Sequence, residues 1–329
     1  MNVDKYFSLY ERERIKIDEK LAKALKNRKP SSLYEPGNYI LEGSGKRLRP
    51  LLVLFSAKAV GLNFNKVYNA ALAVEMLHNF TLVHDDIMDN ADKRRGRLTL
   101  HKKYDTNTAI LVGDSLLSIA YEFLLKDAKG SRVHEIIKTF NKGLIEVCEG
   151  QSLDKEFEIK SEVTLNEYLR MITKKTAALA EMCCTIGGQL GNCSKEEIKI
   201  LANFGKKIGI AFQIQDDLLD ISGTTAELGK NIGGDLIEGK KTFLFIKALE
   251  KANLQQKRNL FKIVKNKGIS PSEINFYKSL YEELGVLDDA KKEIIKYTKS
   301  ALKGLGNLKN EDDKNLFTWL ANSLIKRNK

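Results

Sequence analysis

The chain has 329 residues, 43% hydrophobic and 30% charged, with 4 prolines, 4 cysteines and a net charge of +12. That apolar content supports a large buried core, and the scarcity of proline leaves long helices uninterrupted. The basic residues are spread along the whole chain, without a basic tail, zinc-finger spacing or an aromatic–basic RNA motif. A nucleic-acid role therefore has little support, and a lysine-coated, solvated surface is the plainer reading.

The first 20 residues are charged throughout and lack the apolar centre of a signal peptide. No run approaches ~18 uninterrupted apolar residues, so no membrane span is expected. Cys148, Cys183, Cys184 and Cys193 form no CxxC pair, and reduced thiols in a cytoplasmic protein are the simplest expectation.

In chain order, an N-terminal helical stretch ends at Pro30, Ser31 and Ser32, and Pro36-Gly37 predicts a second break. Helical periodicity then dominates: helices are predicted over 51–60, 66–88, 108–125, 133–151, 165–190 and 194–219. Ser194 with Glu197 three residues on reads as a capping box opening the last of these. The segment 223–239 is glycine-rich and loop-like, and helices over 242–251, 253–267 and from 272 onward complete the chain. Period-two strand patterns are scarce. The expectation is all-α: a single domain, 1–329, of about ten or more helices around a central cavity, the middle helices buried on most sides.

The strongest chemical signal is His84-Asp85-Asp86-Ile87-Met88-Asp89. Asp85 and Asp89 are four apart and share one helix face, where like charges repel. A hard divalent cation with oxygen ligands offsets that repulsion; an exposed acidic helix end is the plain alternative, weakened by the strongly apolar 70–83 just before it. The arrangement recurs in Phe212-Gln213-Ile214-Gln215-Asp216-Asp217-Leu218-Leu219-Asp220, again closing an apolar helix. Two such helices packed face to face would aim both carboxylate clusters into one cleft, where magnesium could grip a diphosphate.

Two cationic clusters fit the same ligand. Lys46, Arg47 and Arg49 follow Gly45, and Arg94-Arg95-Gly96-Arg97 follows the first acidic run. Arginine offers bidentate forks to phosphate oxygens. Gly234 to Lys241 imitates a P-loop, but Lys241 stands where Ser or Thr should hold magnesium and no strand precedes it. Lys230 and Lys240 on this segment read better as phosphate clamps. His78 lies seven residues before Asp85, roughly on its face, as a core histidine or a diphosphate donor.

Taken in order, GKRLRP (45–50), HDDIMD with RRG (84–96), Lys175-Thr176, FQIQDD (212–217) and GKNIGGD (229–235) resemble the trans-prenyl diphosphate synthase family, which includes farnesyl and geranylgeranyl diphosphate synthases. The resemblance spans roughly 41–242. It implies that Asp85 and Asp89 are ligands of a first magnesium cluster and Asp216 of a further ion, three ions in all, with Asp86, Asp217 and Asp220 in support. Arg94, Lys175, Thr176, Gln213 and Lys230 are implied contacts of the allylic diphosphate, and Lys46, Arg49, His78 and Arg95 of isopentenyl diphosphate, with Lys240 in support. Asp85, Asp89, Lys175, Asp216 and Lys230 are the implied catalytic set. A homodimer is implied by analogy, and transient membrane contact is compatible with a greasy product. Ser44 and Leu98 depart from the family's usual Gly and Pro, at positions that carry no charge.

Thr81 and Phe80 lie four and five residues before Asp85, about one turn beneath the metal site, and Leu77 lies a turn further. Bulk there would act as a floor for a growing chain. Within the family, a large Phe80 with a small Thr81 resembles enzymes making geranylgeranyl diphosphate, some also releasing farnesyl diphosphate. The alternatives are a longer-chain polyprenyl synthase, a class I terpene cyclase and a non-catalytic partner subunit. The second aspartate run and the GKRLRP segment argue against a cyclase, and intact aspartates and cations against a partner subunit.

Overall fold

The computed structural model describes residues 3–191, 193–223 and 232–325, with the side chain of residue 307 excepted. The chain divides into two compact units: Met1–Lys142, Met182–Ala202 and Asn307–Trp319 form one, and Gly143–Glu181, Asn203–Gly306 and Leu320–Lys329 the other. The fold is all-α, as the periodicity predicts.

In the first unit, α1 (Val3–Ala24) and α2 (Ser31–Leu41) precede α3 (Leu48–Ala59) and α4 (Tyr68–Met88). The expected break at Pro36-Gly37 is absent: both residues lie inside α2. Packing overrides the local signal here. Pro36 and Gly37 are buried, and a Cβ on Gly37 would stand 2.9 Å from Leu25 Cδ1, so the helix is held by close approach to its neighbour. Helix α4 is buried almost continuously from Ala70 to Asn79, which suits a core helix with no solvated face.

After α4 comes an unforeseen hairpin of β1 (Lys93–Arg94) and β2 (Arg97–Leu98). Arg95 (φ 52°) and Gly96 (φ 77°) both take left-handed conformations, the pattern of a type I′ turn that matches strand twist. Two-residue strands are too short for alternation to show in a sequence. Then α5 (Leu100–Lys103) leads to α6 (Thr106–Asp127). By length and composition α6 could cross a membrane, at mean hydropathy 1.5. Its buried residues, among them Val112, Leu116, Ala120 and Leu124, fall on one stripe, and it packs along α4.

Helix α7 (Val133–Ile159) continues the chain, and α8 (Leu165–Ile172) opens with a capping box of Thr164 and Glu167. The single helix predicted over 165–190 is interrupted: Thr173–Ala177 forms a π-helical turn before α9 (Ala178–Leu190). Such turns insert a residue and re-aim side chains, often at functional sites. Two glycines admit the wider turn. A Cβ on Gly150 would stand 2.2 Å from the Lys175 nitrogen, and one on Gly209 would stand 2.5 Å from Ala177 Cα.

Helix α10 (Lys195–Ser222) opens with the predicted box: the Ser194 amide donates to Glu197 Oε2 at 2.9 Å, and the Glu197 amide donates to Ser194 Oγ at 3.2 Å. Then follow α11 (Gly234–Ile237), α12 (Phe243–Lys251), α13 (Leu254–Lys265), α14 (Ile274–Glu283), α15 (Val286–Gly304) and α16 (Glu311–Ile325). The core of the second unit gathers Tyr168, Phe243, Phe245, Tyr277 and Tyr281 with aliphatics of α10, α12, α13 and α15.

Candidate active site

The first acidic run forms the end of α4. Asp85 is half-buried in the last turn, and Asp89 is the exposed C-cap residue. A helix C-terminus carries partial negative charge, and this one has no basic residue in its last turn. Two carboxylates are therefore placed against the dipole and against each other. Asp86 is buried and engaged: Arg94 Nε donates to its Oδ1 at 2.7 Å. Burial raises the Asp86 carboxyl above its ordinary range while Arg94 pulls it back. The hairpin thus holds Arg94 beside the acidic helix end.

The cations of the GKRLRP segment differ in environment. Arg47 is buried at φ 46°, with Nε on Asp18 (2.7 Å), Nη1 on Glu75 (2.7 Å) and Nη2 on the Leu41 carbonyl (3.0 Å). Its fork is consumed by the fold, which the sequence did not distinguish from a phosphate fork. Lys46 is exposed, its carbonyl accepting from Tyr10. Arg49 Nη1 lies 3.0 Å from His78 Nε2. Burial first, then Arg49, Arg95, Arg94 and Arg47, hold the imidazole well below its usual range, so it is neutral and Nε2 accepts from Arg49. His78 Nδ1 is buried without a hydrogen-bond partner among the described residues. Arg95 Nη1 donates to the Ser44 carbonyl at 2.6 Å, above Gly45, where a Cβ would meet Nη1 at 2.5 Å. The first unit thus brings Arg49, His78, Arg94 and Arg95 into one electrostatic cluster.

In the second unit, the aspartates of α10 differ in environment. Asp216 is half-buried, whereas Asp217 and Asp220 are buried. Asp217 Oδ2 accepts from Tyr168 Oη (2.6 Å) and the Phe243 amide (3.0 Å), and Oδ1 accepts from Gln213 Nε2 (3.0 Å). Burial still dominates and pushes this carboxyl up to about 6, with Asp216 adding to the rise. Asp220 Oδ2 accepts from the Asp235 amide at 2.9 Å, tying the helix end to α11. Asp217 and Asp220 therefore also anchor neighbouring backbone. Like α4, α10 ends with no basic residue in its last turn.

Thr176, on the π turn, donates to Gln213 Oε1 at 2.8 Å, so Gln213 is fixed at both ends of its amide. Lys175 pairs with Asp154 Oδ2 at 2.5 Å. Lys240 pairs with Glu238 at 2.5 Å; burial alone would lower its pKa, but Asp235, Glu238 and Asp154 carry it above its ordinary range. Lys175, Thr176, Gln213, Asp217 and Lys240 line one cavity of about 120 Å³ with Asp154, Tyr168 and Asp235. Asp154 and Tyr168 carry no sequence signal: no local pattern separates Asp154 from Glu156 and Glu158 on the same helix, or marks Tyr168 as other than core. Lys230 lies outside the described residues. Gly234–Ile237 forms a short helix, and the element before it among the described residues is α10.

Thr81 donates to the His78 carbonyl (2.8 Å), Leu77 is fully buried, and the half-buried Phe80 ring lies 4.7 Å from the His84 ring. The donor chemistry suits magnesium: the carboxylates of Asp85 and Asp89 at the C-terminus of α4, and of Asp216 on α10, are hard oxygen ligands. Among the described residues no three metal-ligating side chains converge into an all-protein cage. Magnesium usually completes its shell with phosphate and water and does not require such a cage.

The family model for polyprenyl synthetase matches residues 30–284. The chain belongs to the polyprenyl synthetase family. It is 43% identical over 259 residues to a short chain isoprenyl diphosphate synthase of Methanocaldococcus jannaschii, covering 79% of this chain and 78% of that one. To a geranylgeranyl diphosphate synthase of Methanosarcina mazei it is 39% identical, covering 94% of both. The crystal structure of a geranylgeranyl pyrophosphate synthetase from Pyrococcus horikoshii is similar at TM-score 0.90 and 34% identity, covering 99% of both chains. Here HDDIMD closes α4, RRG forms the hairpin turn, Lys175-Thr176 sits on the π turn and FQIQDD lies on α10.

Proposed function

We propose that this polyprenyl synthetase is a trans-prenyltransferase. It joins isopentenyl diphosphate head to tail to an allylic diphosphate, with three magnesium ions held by Asp85, Asp89 and Asp216. The product is short: geranylgeranyl diphosphate, farnesyl diphosphate, or both. The name of the 39%-identical Methanosarcina relative supports that length. A cytoplasmic homodimer belongs to the same reading.

One observation carries it: α4 closes with Asp85 and Asp89 against its dipole, and α10 carries Asp216 and Asp220 towards an end that likewise has no basic residue in its last turn. Bound magnesium would stabilise the charge that gathers on the departing diphosphate as the allylic C–O bond ionises. Lys175, Lys240 and Arg94 add fixed positive charge for the same leaving group. Lys46, Arg49 and Arg95 take the diphosphate of isopentenyl diphosphate, and neutral His78 orients the Arg49 fork through the 3.0 Å contact. Thr176 and Gln213, each fixed by the other, hold the allylic chain near its reacting carbon, a proximity effect. The bond forms between that carbon and the terminal alkene carbon, and the proton then lost goes to the released diphosphate. No side-chain nucleophile is required.

The test is product analysis with magnesium, isopentenyl diphosphate and each allylic primer in turn, sizing the dephosphorylated products with and without a chelator. A geranylgeranyl product that disappears with chelator is expected. A longer product discards the floor beneath Asp85, and no condensation by folded protein with magnesium sinks the assignment.

A further inference from the structure

We infer that α6 sets product length from behind, through Gly113 and His84, by fixing where the Phe80 ring stands. This rests on the reading of Phe80 as the floor and adds the residues that hold that floor in place.

Three contacts within the first unit form a chain from α6 to α4. A Cβ on Gly113 would stand 2.3 Å from His84 Cε1 and 2.7 Å from Nδ1, so the imidazole occupies the space that any other residue at 113 would need. His84 Nδ1 lies 3.1 Å from the Phe80 carbonyl one turn back, which sets the ring's tilt with Nδ1 as donor. The two rings then meet at 4.7 Å and 56°. On the α6 side, Asp114 Oδ1 is 3.6 Å from Nε2, beside the same ring.

Helix geometry places Phe80 and His84 on one face, since residues four apart are neighbours. Phe80 therefore does not stand alone: its ring neighbours an imidazole that also fills the space beside Gly113 of α6. With van der Waals contact between carbon atoms near ~3.5 Å, a methyl at 113 must drive the imidazole about 1 Å off its seat. The neighbour able to yield is the half-buried Phe80 ring, whereas α6 presents backbone. Product length then responds to a residue on a different helix from the aspartates, one that touches neither metal nor diphosphate.

The experiment compares product ratios for full-length wild type and for Gly113→Ala, His84→Ala, Phe80→Ala and the Gly113→Ala/His84→Ala double variant, with magnesium and farnesyl or geranyl diphosphate as primer. Gly113→Ala is expected to favour the shorter product and His84→Ala the longer, each by roughly tenfold in ratio, the scale of one methylene added to or removed from an apolar pocket. In the double variant the Gly113→Ala effect should vanish, because the methyl no longer meets a ring. If Phe80→Ala lengthens the product while Gly113→Ala and His84→Ala leave it unchanged, the floor stands and this inference falls. If Phe80→Ala changes nothing, the floor itself fails and takes the inference with it. An equal Gly113→Ala shift with and without His84 also overturns it. Should His84→Ala lack turnover, Gly113→Ser must shift the ratio further than Gly113→Ala, and an unchanged ratio counts against the inference.

Discussion

Replacing Asp217 by Asn should stabilise the magnesium-free protein at pH 8 while impairing the allylic site. Asp217 is 5% exposed and accepts three hydrogen bonds, from Tyr168, Phe243 and Gln213. Burial outweighs them and lifts the carboxyl from 3.8 to about 6. Between those values the folded protein keeps a proton that the unfolded chain has lost. Stability contributed by that proton is fully present below 3.8 and is lost as pH rises to about 6 and beyond. The loss amounts to about 3 kcal/mol at full ionisation. Asparagine has no charge to desolvate, so its advantage should grow across the same window, less about 1 kcal/mol for imperfect amide geometry. Its Nδ2 would face Gln213, which must turn its amide and make the Thr176 hydroxyl an acceptor. A raised KM for the allylic diphosphate should accompany the gain. Urea denaturation in chelator from pH 4 to pH 8 measures the difference between the two proteins. A difference that stays flat with pH, or an Asp217→Asn protein less stable at pH 8, refutes the reasoning.

Asp85→Ala removes a carboxylate opposed to the α4 dipole, so the magnesium-free protein should gain about 0.3–1 kcal/mol by thermal denaturation while turnover nearly disappears; retained turnover at saturating magnesium contradicts the metal assignment. Glu75→Ala strips the buried Arg47 of one of its two carboxylates and should cost about 3 kcal/mol in denaturant; a loss below about 1 kcal/mol would mean that Asp18 alone suffices. Gly150→Ala places a methyl 2.2 Å from the Lys175 nitrogen, which is backbone and cannot yield cheaply. It should cost about 1–3 kcal/mol and raise the KM for the allylic substrate, and wild-type values for both would show that the π turn tolerates the displacement.

Much of this molecule is written at the scale of one helical turn. Four-residue spacing puts Asp85 with Asp89 and Asp216 with Asp220, and three-residue spacing builds the Ser194–Glu197 cap; both can be read before any fold is known, because an α-helix converts spacing into proximity. The family motifs were legible for the same reason, each being a short run of sequence. What failed was also local. Pro36 reads as a break, but burial of the Pro36-Gly37 pair, with Leu25 and Val112 against Gly37, holds it inside α2. The 165–190 pattern reads as one helix, because a single inserted residue at Thr173–Ala177 leaves the apolar period nearly unchanged.

The helical class, the two acidic helix ends and the cations that accompany them thus follow from residue order alone. Which partners those charges meet is a matter of packing within each unit. Arg47 is consumed by Asp18 and Glu75 while Arg49 is oriented by His78, and Asp217 is held by Tyr168 and Phe243 while Asp216 keeps a half-buried place. Neighbouring residues of identical type differ because each partner comes from a distant part of the chain. The energy of burying a charge depends on that partner, not on the residue's own neighbours in sequence.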